Sequence, residues 1–260
     1  MGRRMLTQNS ELREIGVYNW SLPAWVVTLD DGSKFNVCPS AGACAKLCYA
    51  RNGTYLFPEV RAAHLRNLRM VREQLPAWTR AMIDELSEDR FRPTGRPRVG
   101  LPTDVVDQWA IDWARVGGQA VRIHDAGDFF SDDYTDAWLR IARHYPDVLF
   151  YAYTKEVTRF RRLVEPDPPV NFRWIYSLGG REDYLLDPDV DRHADVFPTE
   201  DAIAAAGYRS QEESDLWAVT LPTTRVGIPA NNIPAFRKRQ GAETFGSLQT
   251  GRHVDRPVAA

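Results

Sequence analysis

Three cysteines close together in the chain are the residues best suited to carry chemistry. Cys38, Cys44 and Cys48 are all the cysteines of this 260-residue sequence, and their spacing is C-x5-C-x3-C. Pro39 and Gly42 bend the backbone within the first gap. Three thiols on so short a loop can converge on one ligand, and an odd number cannot all pair as disulfides. Because cysteine thiolates hold iron–sulfur clusters, the spacing predicts a [4Fe–4S] cluster with one iron left open.

Other interpretations of the cysteines remain open at this stage. A zinc ion takes four protein ligands in structural sites and three plus water in catalytic ones. His64 follows Cys48 by sixteen residues, so a Cys3His zinc site is one alternative. Free thiols that pack as small hydrophobic groups are another. A fourth cluster ligand, from His64, His124 or Asp128, would close the open iron.

Composition and charge narrow the class of protein. Hydrophobic residues make up 43% and charged residues 26%, as in globular domains, and the sequence has no apolar run long enough to predict a membrane span. The basic start, MGRRMLTQNSELREIG, lacks the apolar stretch of a signal peptide, so the cytoplasm is the expected location, where thiols stay reduced. A net charge of −2 argues against a wholly basic nucleic-acid-binding protein.

The basic residues nevertheless form three groups along the chain. Such groups are typical of a solvated protein face, and a nucleic-acid-binding surface is the alternative. The groups are Arg51, Arg61, Arg66, Arg69 and Arg72, then Arg159, Arg161 and Arg162, and finally Arg237, Lys238 and Arg239.

The segments that must position the cysteines lie on either side of them. Residues 16–37 have the pattern of short strands with a turn at residues 30–33, which predicts a hairpin leading into the cysteine loop. Two helices are predicted after the loop, because Pro58 and Pro76 each stand at the start of a helical pattern. The first runs to Leu75, and the second covers AWTRAMIDELSEDR.

From residue 98 onward, strand-like and helix-like segments alternate. Such alternation predicts a parallel sheet with helices outside it. The expected fold class is therefore α/β, as a complete or partial (β/α) TIM-like barrel, with a doubly wound sheet as the alternative. The predicted strands cover residues 98–102, 120–128, 148–155, 172–180, 195–197 and 216–222, and the helices cover residues 105–117, 132–146, 157–164 and 199–207.

The chain is expected to form one domain, residues 1–260. Within it, residues 16–57 form the hairpin and the cysteine loop, and residues 58–222 form the barrel-like β/α units. Residues 223–260 are a C-terminal extension, of which the final HVDRPVAA, residues 253–260, is predicted to be disordered.

Polar residues follow the predicted strands at their carboxyl ends, where parallel α/β proteins place functional groups. The strand from residue 120 ends in His124, Asp125 and Asp128. Arg122 and His124 are two residues apart and should share a face. Because charged groups are costly beneath a helix layer, that face is predicted to line the barrel interior. A buried hydrogen-bond network that only holds the loops is the alternative.

The next two strands end in a similar way. Tyr153 and Lys155 share one face at the end of the first, and Ser177 precedes the Gly179–Gly180 pair at the end of the second. Glycine at such a position lets a ligand approach the backbone closely. A plain turn explains the glycines equally well, and a surface lysine explains Lys155.

Three segments, residues 38–53, 122–155 and 175–180, resemble the bacteriophage "gene product 88" family. More distantly, the chain is similar to the phage gene product 37/68 family and to radical S-adenosylmethionine enzymes. The resemblance implies a phage protein in the bacterial host cell, with a [4Fe–4S] cluster on the three cysteines at the mouth of a barrel. Radical S-adenosylmethionine enzymes space these cysteines as C-x3-C-x2-C, so either S-adenosylmethionine or a substrate alone would bind the open iron here.

The leading hypothesis is an enzyme that acts on a small molecule, a nucleotide or a nucleic acid at the open iron. Lys155, Asp128 and His124 are the candidate catalytic residues. The alternatives are a non-enzymatic iron–sulfur regulator that binds nucleic acid or a host protein through the arginine groups, and a zinc-stabilised barrel without catalysis. The candidate cofactor-binding residues are Tyr49, Arg122, Gly127, Phe129, Tyr153, Ser177 and Gly179.

Overall fold

A parallel sheet organises the fold in this computed structural model, which describes residues 4–230 and 233–254. The strands are β1 Val17–Trp20, β2 Val26–Thr28, β3 Lys34–Asn36, β4 Ala120–Ile123, β5 Leu149–Thr154, β6 Phe172–Ser177, β7 His193–Phe197, β8 Arg209–Ser210 and β9 Arg225–Pro229. Seven of them form one sheet in the order β1-β4-β5-β6-β7-β9-β8, with every neighbouring pair parallel. β2 and β3 form a separate antiparallel hairpin.

Helices connect the strands and cover the sheet. The α-helices are α1 Ser10–Glu14, α2 Cys44–Leu47, α3 Pro58–Glu73, α4 Leu75–Leu86, α5 Gln108–Arg115, α6 Asp132–His144, α7 Val157–Leu163, α8 Glu200–Ala205, α9 Trp217–Thr220, α10 Pro234–Gln240 and α11 Phe245–Val254. Short 3-10 helices span Tyr49–Arg51, Gly53–Leu56, Asp89–Phe91 and Asp183–Leu185. In the described part of the chain, no helix is both long enough and apolar enough to cross a membrane.

The hydrogen bonding leaves the sheet open. β1 and β8 are its two edges, and no pairing joins them among the described residues. The predicted α/β class with a parallel sheet is therefore confirmed, whereas this strand order does not show a complete TIM-like barrel. The sheet takes β1 from the N-terminal segment and β9 from the C-terminal extension, so it joins all three segments that the sequence distinguishes.

Helix α6 illustrates why helices form where the sequence predicts them. Ser131 is the N-cap residue, and its hydroxyl accepts a hydrogen bond from the Tyr134 backbone N–H at 3.3 Å. Acidic residues occupy the first turn and basic residues the last, which the helix dipole favours. Trp138 and Ile141 recur one turn apart and are fully buried, so this apolar face packs into the interior.

Alternation along the strands sends side chains into two different cores. In β5, Phe150 belongs to the larger core, an aromatic cluster that includes Trp78 and Trp138. Tyr151 points to the opposite face and belongs to the smaller core, against which Tyr153 also packs. By the same alternation, Arg122 and Tyr153 lie on the face of the smaller core.

The hairpin before the cysteine loop and the two helices after it are confirmed. Val27 of β2 pairs with Phe35 of β3, α3 begins at Pro58, and α4 begins one residue before Pro76. The predicted disordered tail lies largely outside the described residues, which end at Val254, the last residue of α11.

Two of the predicted strands are wrong. Residues 98–102 form no strand in the described chain, and Gly100 within them has a positive φ of 81°. Residues 216–222 contain helix α9, in which the Thr220 hydroxyl donates to the Leu216 carbonyl at 2.8 Å. A short apolar run fits a buried strand and a buried helix equally well, and the strand of this region is instead β9.

Candidate functional site

A cavity of about 720 Å³ lies at the carboxyl ends of β4, β5 and β6. The cysteine loop and the polar strand ends, which are far apart in sequence, meet on its wall. Of the residues predicted for the site, those that line the cavity are Cys38, Cys44, Cys48, Tyr49, Arg122, His124, Gly127, Asp128, Tyr153, Lys155 and Ser177. Phe129 and Gly179, although predicted as cofactor contacts, are not part of this wall.

Backbone hydrogen bonds fix the cysteine loop to the end of β6. The Gly179 carbonyl accepts from the backbone N–H groups of Gly42 and Cys44, each at 3.1 Å. Gly179 has a positive φ of 93°, and a Cβ atom there would lie 3.4 Å from the Cys44 nitrogen. This glycine therefore allows two chain segments to approach closely, and it positions Cys44 rather than facing the cavity.

Helix α11 holds the same loop from the C-terminal part of the chain. The Gln249 side-chain oxygen accepts from the Ala43 backbone N–H at 2.6 Å, and Gln249 is buried. Phe245, the first residue of α11, lines the cavity. No local pattern in the sequence indicates this contact, because 206 positions separate the two partners.

The three thiols are free and partly buried. Burial raises the pKa of Cys38 well above its ordinary value, and the charge of Asp128 adds to this effect. Burial also raises the pKa of Cys44, against the opposing charge of Lys155, and raises the pKa of Cys48 to about 11. The thiols are therefore neutral at pH 7 in the protein alone, and bound metal would be needed to favour their thiolates.

The zinc alternative lacks its histidine ligand. His64 lines a separate cavity of about 270 Å³, where its ring centre lies 6.1 Å from that of Tyr55. Among the described residues, no group of three or more His, Cys, Asp or Glu side chains has the geometry to hold a metal ion. The structure therefore gives a one-ion Cys3His site no support.

Lys155 follows β5 and lines the cavity. Its ammonium group donates to the Ser177 hydroxyl at 2.8 Å, and its backbone N–H donates to the Asp128 carboxylate at 3.0 Å. The same carboxylate accepts from the Thr154 hydroxyl at 2.7 Å. Burial lowers the pKa of Lys155, but nearby anionic groups, the Cys44 thiol once it ionises and the Asp128 carboxylate, outweigh burial and raise this pKa overall. Lys155 is thus a fixed positive charge near the cysteines.

A network centred on Arg122 forms another wall of the cavity. The Arg122 guanidinium lies 3.4 Å from a carboxylate oxygen of Asp125 and 3.4 Å from one of Asp215. It also lies 5.2 Å from the centre of the Tyr153 ring, and the Tyr49 hydroxyl donates to the Asp125 carbonyl at 2.5 Å. Burial lowers the pKa of Arg122, but the two carboxylates outweigh burial and raise it. Arg122 therefore stays charged and paired.

Two members of this network, Asp215 and Gln211, were not predicted from the sequence. The Tyr151 hydroxyl bonds to Asp215, and the Tyr153 hydroxyl bonds to Gln211. Both partners belong to the polar run QEESD at residues 211–215, directly after β8. A polar run after a strand is the same signal that identified the other strand ends, but β8 has two residues and was not recognised as a strand.

His124 departs from the predicted alternation. β4 ends at Ile123, and His124 has a positive φ of 68°, so its side chain leaves the face of Arg122. Its Nε2 lies 2.8 Å from the Tyr134 hydroxyl, and its ring packs edge-on against Phe129 with centres 4.6 Å apart. Burial lowers the pKa of His124 to about 3, so the ring is neutral at pH 7. Phe129 is fully buried in the larger core, which explains its absence from the cavity.

Gly127 lines the cavity for a packing reason. It has a positive φ of 92°, and a Cβ atom there would lie 2.6 Å from the Cβ of Leu22. The Leu22 backbone N–H donates to the Ala126 carbonyl at 2.9 Å. Glycine thus lets the loop after β4 lie against the segment after β1, which fixes the position of the strand-end residues that follow.

The second arginine group predicted from the sequence is neutralised by carboxylates. Arg159 and Arg162 pair with Asp132 at 2.9 and 2.7 Å, and Arg161 pairs with Asp191 at 2.9 Å. These contacts favour the interpretation of this group as a solvated protein face, since phosphate binding would compete with existing ion pairs.

Comparison with known proteins identifies relatives of the chain. A family model described as GP88, Gene product 88, matches residues 2–255. The Gene 88 protein of Mycobacterium phage L5 is 32% identical over 133 residues, and that of Mycobacterium phage D29 is 30% identical over 133 residues. Each alignment covers 51% of this chain and 48% of the relative, so the chain spans about half the length of the curated relatives it matches. No solved structure matches the chain.

The predicted similarity to two phage families is tested in part by these comparisons. The similarity to the gene product 88 family is confirmed. The more distant similarity to the gene product 37/68 family and to radical S-adenosylmethionine enzymes stays a prediction.

Proposed function

The chain belongs to the Gene product 88 family, and we propose that it is an iron–sulfur enzyme acting on a small molecule at the open iron of a [4Fe–4S] cluster. Cys38, Cys44 and Cys48 hold the cluster in this proposal. It rests on one observation, the cavity whose wall contains all three free thiols together with Lys155 and Arg122. The carboxyl ends of parallel strands are the usual position of an active site in α/β proteins.

The proposed occupant is a cluster rather than a single ion. One metal ion requires its ligands at about 2.0–2.3 Å from a common point, and the described residues contain no such group. In a [4Fe–4S] cluster each cysteine binds a different iron, so its three ligands need not meet at one point. A cavity of about 720 Å³ also falls within the size range of small-molecule sites.

Other residues of the cavity wall would contact the cluster and its ligand. When bound, the cluster supplies one-electron chemistry and an iron that can take a ligand. Lys155, whose ammonium group donates to the Ser177 hydroxyl, would place a positive charge near both the cysteine thiolates and the bound ligand. Asp128 fixes the backbone of Lys155. Tyr49 and Tyr153 present rings on the cavity wall that a ligand can pack against.

The proposal extends to the shape of the sheet. The open parallel sheet is a partial (β/α) barrel of the radical S-adenosylmethionine type, with β1 and β8 as its free edges. Its interior is the smaller core, which Tyr151, Ile175 and Val226 enter from three different strands. Curvature of the sheet around this core would bring the ends of β4, β5 and β6 around the cysteine loop.

A regulator that binds nucleic acid has weaker support. The arginine group at residues 159–162 already forms ion pairs with carboxylates, and phosphate contacts require available cations. The cavity with its thiols is the stronger feature, and it has the form of a binding site for a small molecule.

Ligand binding to the reduced, anaerobically purified protein tests the enzyme proposal. The electron paramagnetic resonance spectrum is recorded without ligand, with S-adenosylmethionine, and with a panel of amino acids, amines and nucleotides. At least one ligand is expected to change the g-values, and the change should weaken in Lys155→Met but persist in Lys34→Met, which alters an exposed lysine of the hairpin. A spectrum that no ligand changes would contradict an open iron and favour the regulator.

A further inference from the structure

Acidic side chains surround the mouth of the cavity. Glu11 and Glu14 of α1, and Glu212 and Glu213 after β8, are exposed residues of the cavity wall. None of these four carboxylates forms an ion pair within the described residues. Their charges are therefore available to a ligand that enters from solvent.

Negative charge also predominates deeper in the cavity. Arg122 is compensated by Asp125 and Asp215, each 3.4 Å away, and among the described residues Lys155 is the only other Lys or Arg on the wall. The described wall residues include seven carboxylates against these two cations, namely Glu11, Glu14, Asp125, Asp128, Glu212, Glu213 and Asp215. A cleft lined mainly by one sign of charge concentrates ligands of the opposite sign, so it attracts cations and repels phosphates.

Aromatic rings on the same wall suit a positively charged group. Trp25 and Tyr153 both line the cavity. Each already has a guanidinium group of the protein over its ring, Arg51 at 4.9 Å from the Trp25 centre and Arg122 at 5.2 Å from the Tyr153 centre. Such rings attract cations through their negative faces, so the wall combines carboxylates with aromatic groups.

We propose that the ligand of this cavity carries a protonated amine or guanidinium group. The carboxylates at the mouth attract this cation, and the aromatic rings of the wall contact it. This inference rests on the proposed function for the identity of the site, and it names the class of small molecule. It excludes nucleotides and nucleic acids as the preferred ligands.

Binding of matched small molecules tests the charge requirement. The probes are adenosine monophosphate and a pair with acetylated α-amines, L-argininamide and L-citrullinamide, in which a neutral ureido group replaces the guanidinium and removes the remaining positive charge. Calorimetry is performed on anaerobically purified protein of measured iron content. L-argininamide is expected to bind more tightly than L-citrullinamide and at least about tenfold more tightly than adenosine monophosphate, with an affinity that falls as salt is added.

Substitutions at the cavity mouth test whether its carboxylates contribute to ligand affinity. The double variant Glu212→Gln/Glu213→Gln is expected to weaken L-argininamide binding about threefold to tenfold, since each exposed ion pair makes a modest contribution to binding. The control Glu59→Gln/Glu73→Gln removes two exposed carboxylates of α3 that are outside this cavity, and it should leave the affinity unchanged.

Several results would overturn the inference. These are equal or tighter binding of adenosine monophosphate, an unchanged affinity in the mouth variant, or no binding of any probe. The outcome is separable from that of the proposed function. Protein that takes up no iron but binds L-argininamide contradicts the cluster alone, and iron-loaded protein that prefers adenosine monophosphate contradicts this inference alone.

Discussion

The two walls of the cavity are built in opposite ways. On one wall, Arg122 lies between Asp125 and Asp215, and the hydroxyls of Tyr55 and Tyr151 bond to the same two carboxylates. On the other, the cysteine loop is held by its backbone, through Gly179 and Gln249, while its three cysteines form no disulfide. On the first wall side chains pair with side chains, whereas on the second the backbone is fixed and, among the described residues, no thiol bonds to another side chain.

The difference indicates which wall stabilises the fold and which binds the ligand. Polar groups that pair with one another inside a protein contribute to stability whether or not a ligand is present. A loop with a fixed backbone and thiols that form no disulfide contributes little through those thiols until a metal binds them. Substitutions on the two walls should therefore affect different measurements.

The largest effect is expected on the cysteine wall. Cys44→Ser should reduce the iron content after anaerobic reconstitution from about four per chain to nearly none, because a hydroxyl replaces a cluster ligand. Its urea unfolding without iron should match that of the iron-free parent protein. Cys38→Ser and Cys48→Ser should behave in the same way, and full iron content in any of the three would contradict the assigned ligands.

On the paired wall, Arg122→Met should destabilise the fold by about 3–5 kcal/mol, because it leaves two partly buried carboxylates without their cation. Urea unfolding of the iron-free protein at pH 7 measures this free energy. The control Arg115→Met breaks the exposed ion pair with Asp112, 2.8 Å long, and should cost less than about 1 kcal/mol. Similar costs for the two variants would show that the Arg122 wall is not structural.

The pH dependence of the unfolding free energy tests whether the His124 ring is buried and neutral in the folded protein. Its folded pKa, about 3, is below the unfolded value of about 6.5, so its contribution is present above pH 6.5 and is lost as the pH falls below it. The loss should approach about 1.4 kcal/mol per pH unit between about pH 6 and pH 4. Unfolding free energies at several pH values should show a smaller slope in His124→Gln and the parent slope in His144→Gln. An unchanged slope in His124→Gln would contradict the buried neutral ring.

The smallest effect is expected where α11 holds the cysteine loop. Gln249→Ala leaves the buried Ala43 N–H without its acceptor, at a cost of about 1–3 kcal/mol. Release of iron to a chelator should become faster, since the loop opens more easily. Gln108→Ala, which removes an exposed side chain bonded to Asp112, serves as the control, and equal release rates in the two variants would argue against this support of the loop.

Local patterns in the sequence were sufficient to predict part of the candidate site. The cysteine spacing marked one wall, and the polar ends of β4, β5 and β6 marked residues that the structure places on the same cavity. Periodicity also located α3, α4 and α6, because their apolar residues recur with the helical repeat. These features depend on residues that are neighbours in the chain.

The remaining features depend on tertiary contacts or on unusual backbone conformation. Asp215 follows β8, which pairs with β9 through two residues and is too short to show alternation. Gln249 reaches Ala43 from the opposite end of the chain. His124 has a positive φ, a conformation that is rare for non-glycine residues, so alternation assigned its side chain to the wrong face.

The central claim is that the free thiols are the ligands of a [4Fe–4S] cluster. The most direct measurement is iron, sulfide and zinc analysis of anaerobically purified protein, with a visible spectrum before and after dithionite. We predict about four irons and four sulfides per chain and a brown colour that bleaches on reduction. A colourless protein with one zinc per chain, or a protein that takes up no iron during anaerobic reconstitution, would contradict the claim.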